Sequence, residues 1–540
     1  MAEAIRILVA DKLADQGVDY LRGFAGIEVE VKTGLSEDEL AATVGEYDGL
    51  VVRSAAQVTA KALAEPGRLR AIARAGVGVD NIDLEAATAA GVLVMNSAEA
   101  STITTAEHAL ALMLGLARNV GPASRTMVDG GWDRSKFVGA QLAGKTLGIV
   151  GLGRIGQTVA ERALAFDMTV VAYDPIFNAE TALDGRVKLY RDFDQMIEAI
   201  DVITFHVPLN EHTRGILNAE RFARCRAGLL VVNAARGGIV DIPALIDALD
   251  SGQCGGAAID VFETEPPEAD DPLRRHPKVL LTPHLGASTA EAQEAVSVHA
   301  CQQIVEYLRG EGMRGAVNAP GVRLDLDPGQ MKYVDLARRM AQLALPMCEE
   351  GIAEVTVRVC GADLAAAADT IERIAMVELL NSVLNVPVNM VNVKLAAEQR
   401  GITTRTVTED DARSGSRLSL EIRSGDEMRH ITGRIGDEGQ PRVMRIGRYA
   451  MDIVPAGTMI LIMNEDRPGM IGMVGTAMGD EGVNIADMTI SRHDHTAMMV
   501  VKADGRPGDE VIERLRGLPG ILKVAEVTLG EVSSEENPAS

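Results

Sequence analysis

Residues 151–174 read GLGRIGQTVAERALAFDMTVVAYD. The three glycines, 151, 153 and 156, follow an apolar run and open a stretch with helical spacing. A second apolar run then ends on Asp174. A strand, a glycine turn, a helix, a strand and a closing acid form the opening of a dinucleotide-binding unit. Gly151 is expected to make the tight turn, Gly153 to let backbone approach a pyrophosphate, and Gly156 to allow close helix–strand packing. The phosphates would sit at the helix N-terminus, where free N–H groups and the dipole favour anions. The Asp174 carboxylate would take ribose hydroxyls and repel a 2′-phosphate, which favours NAD over NADP.

The chain has 540 residues, so several domains are expected, and 47% of them are hydrophobic. The formal net charge is −24. Such an acidic chain repels nucleic-acid phosphates and anionic membrane surfaces, while a few local Arg or Lys can still hold an anionic substrate. Cys225, Cys254, Cys301, Cys348 and Cys360 are scattered, with no metal-ligand spacing, so no metal is expected. Sparse thiols suit a reducing compartment. No secretory leader and no run of 18 apolar residues is evident. The expectation is a cytoplasmic protein with no nucleic-acid or membrane partner.

Upstream of the glycines, IRILVA (5–10), IEVEVKT (27–33), GLVVRSA (49–55), LRAIARAG (69–76) and GVLVMN (91–96) read as strands between helical patterns. That alternation predicts a parallel sheet covered by helices. SAEASTITTAEHALALMLGLARN (97–119) has helical spacing and the length to cross between two domains. From residue 146, TLGIVG, TVVAYD, VITFHVPL, GLLVVNAA, GAAIDVF and VLLTPHLG predict a six-stranded doubly wound sheet. Residues 321–456 mix a helical stretch (362–384) with strands EVTVRVC, RLSLEIRS and HITGRIG. The last block orders as βαββαβ, the ferredoxin-like arrangement.

Three further stretches sit at strand ends of the second alternation, where open parallel sheets bind ligands. VVNAARGGIVD (231–241) carries Arg236, which either clamps a carboxylate or neutralises a helix end. AAIDVFETEPP (257–267) carries Asp260 and Glu265, and an acid in such a loop is ordinarily just solvated. VLLTPHLGAST (279–289) carries His284, either a proton exchanger or a packed histidine. Arg, Glu and His together suit oxidation of an alcohol beside a carboxylate. Hydride leaves carbon while a base removes the hydroxyl proton.

These motifs, with VVRSAAQVT (51–59) and RAGVGVDNID (74–83), resemble the D-2-hydroxyacid dehydrogenase family over residues 5 to about 318. The resemblance implies that His284 is the acid/base, Glu265 its partner and Arg236 the carboxylate binder. It implies a nucleotide-contact set of Gly151, Gly153, Arg154, Ile155, Gly156, Asp174, Pro208, Ala234, Asp260 and Gly286. It also implies an α/β fold of two Rossmann-like domains, the NAD-binding domain (98–286) inserted in a split substrate domain (1–97 and 287–318). In the resembled enzymes that act on 3-phosphoglycerate, the Arg of VRS helps bind the phosphate, which points to Arg53 and Ser54. Gly76 and Val77 offer backbone N–H groups to a carboxylate. Arg134 and Lys136 either add positive charge from a neighbouring subunit or are a solvated pair.

The C-terminal βαββαβ unit (457–530) resembles an ACT domain, a regulatory module that binds amino acids, through MNEDRPGMIG (463–472). Asn464, Asp466 and Asn484 match positions that bind serine in some relatives. Asp466 is otherwise a helix cap, with Pro468 in the first helical turn. Residues 319–456 resemble an intervening, allosteric substrate-binding-like domain by position and pattern, without a sharp motif, and 531–540 are expected to be a disordered tail. The expected function is NAD-dependent oxidation of 3-phospho-D-glycerate, opening serine synthesis, in a homodimer or homotetramer with L-serine as effector. Another D-2-hydroxyacid dehydrogenase, or a nucleotide sensor without chemistry, remains open at this point.

Overall fold

The computed structural model describes residues 4–177, 179–348, 350–382, 384, 387–410 and 415–531. The tail beyond Glu531 lies outside the described residues.

The first sheet is wholly parallel: β1 (Ile5–Val9), β2 (Ile27–Val31), β3 (Gly49–Val52), β4 (Ala71–Arg74) and β5 (Leu93–Asn96), in the order β2-β1-β3-β4-β5. Ile7, Leu8, Val9, Leu50, Val51 and Ile72 are fully buried, as expected of parallel strands covered on both faces. One cover comes from far along the chain. Helix Ala290–Leu308 packs Ala300, Cys301 and Ile304 into the same core as Ile7, Val9 and Val51.

The second sheet holds β6 (Thr146–Val150), β7 (Thr169–Tyr173), β8 (Thr181–Ala182), β9 (Val187–Tyr190), β10 (Val202–Phe205), β11 (Leu229–Asn233), β12 (Cys254–Ile259) and β13 (Val279–Leu281). Its order is β13-β12-β11-β10-β6-β7-β9-β8, parallel except for β8 against β9. Six strands were expected here and eight are present. The added pair is a short antiparallel edge in a polar stretch, with no long apolar run to announce it. Register aligns Tyr173, Val150, Phe205, Asn233, Ile259 and Leu281 in one row. Six loops therefore leave the sheet at one level, and the site is built from them.

Helix Thr102–Ala117 crosses from the first sheet to the second. It packs Ala106, Ala109, Leu110 and Met113 into the core that holds Leu147 and Ile149.

The third sheet contains β14 (Glu354–Cys360), β15 (Thr403–Glu409), β16 (Arg417–Ser424), β17 (Glu427–Ile435), β18 (Pro441–Ile446) and β19 (Tyr449–Ile453), in the order β15-β14-β16-β17-β18-β19. Helices Pro328–Ala344 and Ala368–Asn381 cover one face. This region is docked on the first sheet. Thr370 Oγ1 accepts from Arg323 N (2.9 Å) and donates to Arg323 O (3.1 Å). Asn389 Nδ2 donates to Gly91 O (2.8 Å), and Val391 enters the first sheet's core.

The fourth sheet holds β20 (Gly457–Glu465), β21 (Ile485–His493), β22 (Thr496–Ala503) and β23 (Ile521–Leu529), in the order β21-β22-β20-β23, all antiparallel. With helices Met470–Asp480 and Asp509–Arg516 this is the βαββαβ order read from sequence. Period-2 alternation buries both faces. Ile460, Ile462, Met499 and Val501 pack under the two helices. Met459, Leu461, Met498, Val500, Val527 and Leu529 join the core of the third sheet instead. Buried Arg339 of helix Pro328–Ala344 fastens the two units. Its guanidinium pairs with Asp335 (2.6 Å) and donates to Pro455 O (2.8 Å), Gly530 O (2.5 Å) and Glu531 O (3.0 Å).

Among the described residues no helix is long and apolar enough to cross a membrane, and no His/Cys/Asp/Glu cluster could hold a metal ion.

Candidate active site

The glycine turn after β6 has the geometry its residues dictate. Gly151 has φ +90°, and a Cβ there would lie 2.5 Å from His206 O. A Cβ on Gly156 would lie 2.1 Å from Gly151 O, so only glycine lets the helix start this close to the turn. Gly153, the N-cap of helix Arg154–Ala165, has open space where a Cβ would be. Room beside free helix N–H groups fits a pyrophosphate. Asp174 ends the next strand, half-exposed. Its Oδ2 accepts from Leu152 N (2.8 Å) and its Oδ1 from Ile176 N (3.0 Å), so it braces the turn as well as facing the site.

The other expected nucleotide contacts divide. Arg154 pairs with Glu99 (2.5 Å), and Ile155 packs into the core. Pro208 is exposed on the loop after β10, while Ala234 and Gly286 are buried near each other behind the row of strand ends. Asp260 is fully buried. Its Oδ1 accepts from Thr282 Oγ1 (2.6 Å) and Leu285 N (2.8 Å), with His108 Nε2 at 3.1 Å, and its Oδ2 accepts from Gly286 N (3.0 Å). Burial works to raise this carboxyl, but His108, Thr282 and the Leu285 N–H hold it below the ordinary value.

His284 and Glu265 come together. The imidazole Nδ1 lies 2.6 Å from Glu265 Oε2, and both side chains are partly exposed. Glu265 Oε1 accepts from Phe262 N (3.0 Å), so one carboxylate oxygen is anchored and the other faces the histidine. His284 has φ +53°, held by its N–H donating to Asp260 O (2.8 Å). Arg236 leaves the row two strands away. The loops touch: a Cβ on Gly237 would lie 2.1 Å from the Phe262 carbonyl carbon. Asn233, buried, shapes the Arg236 loop by donating to Arg236 O (2.8 Å) and accepting from Ala235 N (3.1 Å).

Arg236 also reaches the first sheet. Its Nε donates to Asp80 Oδ2 (3.0 Å), and its guanidinium lies over Gly78. On that side Arg53 N donates to buried Asp11 Oδ2 (2.6 Å), and Arg74 Nε donates to Arg53 O (3.1 Å). Ser54 is exposed beside Arg53. Gly76 is buried at φ +152°, and Val77 O accepts from Asn96 Nδ2 (2.6 Å). The Arg74 guanidinium is pushed down to about 10, chiefly by burial and then by neighbouring Arg236 and Arg53. Arg236 thus bridges the gap between the two sheets, and its charge and that of Arg53 bear on Arg74. Arg74 was not singled out from sequence. Its signal was there, because like Arg53 it stands at the carboxyl end of a parallel strand. His108 carried no such signal.

Arg134 and Lys136 are exposed. In the C-terminal unit Asn464 and Asp466 line a cavity of about 490 Å³, with Arg492 at 3.4 Å from Asp466. Asn484 is not among its lining residues; it donates to Asp504 Oδ2 (2.5 Å). Within one chain, therefore, Asn484 leads into β21 and does not share a cavity with Asn464 and Asp466. Asp466 is not a helix cap either. Its N–H donates to His495 O (2.9 Å), so the chain is still extended there. The helix starts at Met470 after left-handed Gly469, and Pro468 precedes it.

The comparisons agree with this architecture. Residues 110–286 match the D-isomer specific 2-hydroxyacid dehydrogenase, NAD binding domain family, 330–447 the D-3-phosphoglycerate dehydrogenase intervening domain, and 458–520 the ACT domain. The TT0316 protein of Thermus thermophilus is 35% identical, with TM-score 0.53, over 58% of this chain and 100% of its own. The NAD-dependent formate dehydrogenase of Staphylococcus aureus, solved in complex with NAD, is 30% identical, with TM-score 0.52, over 57% and 96%. The fold is thus that of an NAD-binding D-isomer 2-hydroxyacid dehydrogenase. The D-3-phosphoglycerate dehydrogenase of Archaeoglobus fulgidus is 39% identical over 97% of this chain and all of that relative. This chain belongs to the D-3-phosphoglycerate dehydrogenase family.

Proposed function

We propose that the chain oxidises 3-phospho-D-glycerate to 3-phosphohydroxypyruvate with NAD, the step that opens serine synthesis. The observation that carries this reading is the His284–Glu265 pair, on loops packed against that of Arg236, which reaches Asp80 on the first sheet's side, beside Arg74. Family membership supports the same reaction.

Gly151, Gly153, Gly156 and Asp174 would hold NAD, which when bound would accept the hydride from C2. His284 takes the C2 hydroxyl proton on the nitrogen that faces away from Glu265. Glu265 orients the imidazole and stabilises its charge as the proton arrives. Arg236 aligns the substrate carboxylate bidentately, beside the Gly76 and Val77 backbone. Arg53, Ser54 and Arg74 meet the phosphate. Closure of the gap between the two sheets excludes water. We take residues 1–97 with 287–318 as the substrate domain, 98–286 as the NAD domain, 319–456 as the intervening domain and 457–530 as the ACT domain.

Val128, Trp132 and Val138 are 83%, 75% and 81% exposed around Arg134 and Lys136. That apolar surface supports a homodimer or homotetramer in which this face is covered, carrying the two cations toward a neighbour's site. The buried Asn464 carbonyl oxygen has no hydrogen-bond partner, which supports a small-molecule effector in the ACT cavity, with L-serine the expected one. Five free cysteines support a cytoplasmic setting.

NADH formation with several 2-hydroxy acids tests the reading. Turnover of unphosphorylated glycerate far above 3-phosphoglycerate would favour another dehydrogenase, and NAD binding with no turnover would favour a sensor. Activity titrated with L-serine, on the full chain and on a truncation at about residue 318, tests the regulation.

A further inference from the structure

His108 sits on helix Thr102–Ala117, just past the crossing from the first sheet to the second, with its side chain mostly buried. Its Nε2 lies 3.1 Å from Asp260 Oδ1 and 3.3 Å from Thr282 Oγ1. Thr282 gives its one hydroxyl proton to Asp260 (2.6 Å). Both groups facing Nε2 therefore accept, so in the neutral ring Nε2 carries the proton. The carboxylate that receives it also accepts from Leu285 N and Gly286 N, and the Asp260 carbonyl accepts from His284 N. One buried aspartate thus grips the loop on both sides of His284. That grip matters because His284 is held at φ +53°, a backbone region L-residues rarely adopt unaided. Of these side-chain donors, His108 alone comes from outside the loop. The helix that bears it is also tied to the start of helix Ala290–Leu308, through Thr104 Oγ1 and Thr289 Oγ1 at 3.4 Å.

We propose that His108 is a positioning residue for the reaction: its Nε2–H fixes Asp260 and Thr282, which set the His284 loop, so that loop geometry is tied to the helix that joins the two halves. The inference rests on the dehydrogenase reading above for its kinetic consequence, but not for its structural one. A side chain without the donor leaves Thr282 free to turn and the carboxylate free to tilt. Displacement of a proton acceptor by even 1 Å costs on the order of a hundredfold in rate.

The test uses the full-length chain with His108→Leu, His108→Gln and Thr282→Val. His108→Leu should lower kcat by about ten- to a hundredfold while the KM for NAD and for 3-phosphoglycerate moves less than about threefold. His108→Gln keeps an N–H donor and should recover most of the loss; a glutamine as impaired as leucine would overturn the proposal, as would a leucine variant with wild-type kcat. Thr282→Val removes the same bridge without touching the helix and should show the same kcat loss; normal turnover there also counts against it. Amide exchange over 282–288 decides the matter independently of activity. His108→Leu should speed exchange at Leu285 and Gly286 by roughly tenfold, and unchanged protection would overturn the proposal. If the wild-type chain turns over no 2-hydroxy acid, the functional reading fails while the exchange result still stands.

Discussion

His284 Nδ1 and Glu265 Oε2 lie 2.6 Å apart on loops that follow two adjacent parallel strands. The register that aligns Ile259 with Leu281 sets this distance before any substrate arrives. Pre-set geometry of this kind is what general acid–base catalysis requires, and it contributes on the order of a hundred- to ten-thousandfold. His284→Ala should therefore lower kcat by about a thousandfold while NAD affinity, measured by fluorescence titration, stays within about threefold. Glu265→Gln keeps a polar partner and should cost about ten- to a hundredfold. A large loss of NAD affinity in His284→Ala with normal turnover at saturation would contradict the assignment.

Asp174 braces the glycine turn through Leu152 N and Ile176 N, so its removal has two effects. Asp174→Ala should narrow the preference for NAD over NADP, because the charge that repels a 2′-phosphate is gone. It should also cost roughly 1–3 kcal/mol in stability through the lost charged hydrogen bonds. The ratio of kcat/KM for the two cofactors, with a denaturant melt, checks both. An unchanged cofactor ratio would leave Asp174 with the structural role alone.

Burial pushes His206, at the end of β10, down to about 4 from an ordinary 6.5. In that range the unfolded chain binds a proton that the folded chain does not. The stability tied to a neutral His206 is therefore present above pH 6.5 and declines as pH falls toward 4, by about 3 kcal/mol in all. His206→Gln removes the titration. Between about pH 7 and about pH 4.5 the wild type should lose about 2 kcal/mol more than this variant in urea melts. Equal losses would show that the imidazole is protonated in the fold.

Arg339→Met should separate the unfolding of the two C-terminal units. The substitution strands three carbonyl acceptors, at Pro455, Gly530 and Glu531, and should cost about 2–4 kcal/mol. Calorimetry should show an earlier transition for the βαββαβ unit, and protease should cut nearer residue 456. A single transition with an unchanged midpoint would mean that the shared apolar face holds the unit without the arginine.

The parallel sheets were legible because strands buried on both faces read as continuous apolar runs, and the glycine spacing marked where one of them turns. The segment 187–190 and helix Pro328–Ala344 were not read. The first is only four residues long, and the second mixes charges through its length, although Asp327 and Gln330 form a capping box that signals its start. Of the site, Arg236, Glu265 and His284 were visible because each follows an apolar strand. His108 was not, since a histidine inside an apolar helix gives no sign of which residue more than 150 positions later it will meet. Asn484 was named from motif position alone, and within one chain it bonds Asp504 instead of lining the Asn464 cavity.

The face that Met459, Leu461, Met498, Val500, Val527 and Leu529 bury against the third sheet bears on how such a chain can change over generations. A regulatory module on a flexible tether can be lost or exchanged by a single recombination. Here, cutting near residue 456 would lay bare oily surface on both fragments at once, inviting aggregation. Loss of the βαββαβ unit alone would therefore have to be matched by polar substitutions on the face of the third sheet that it covers.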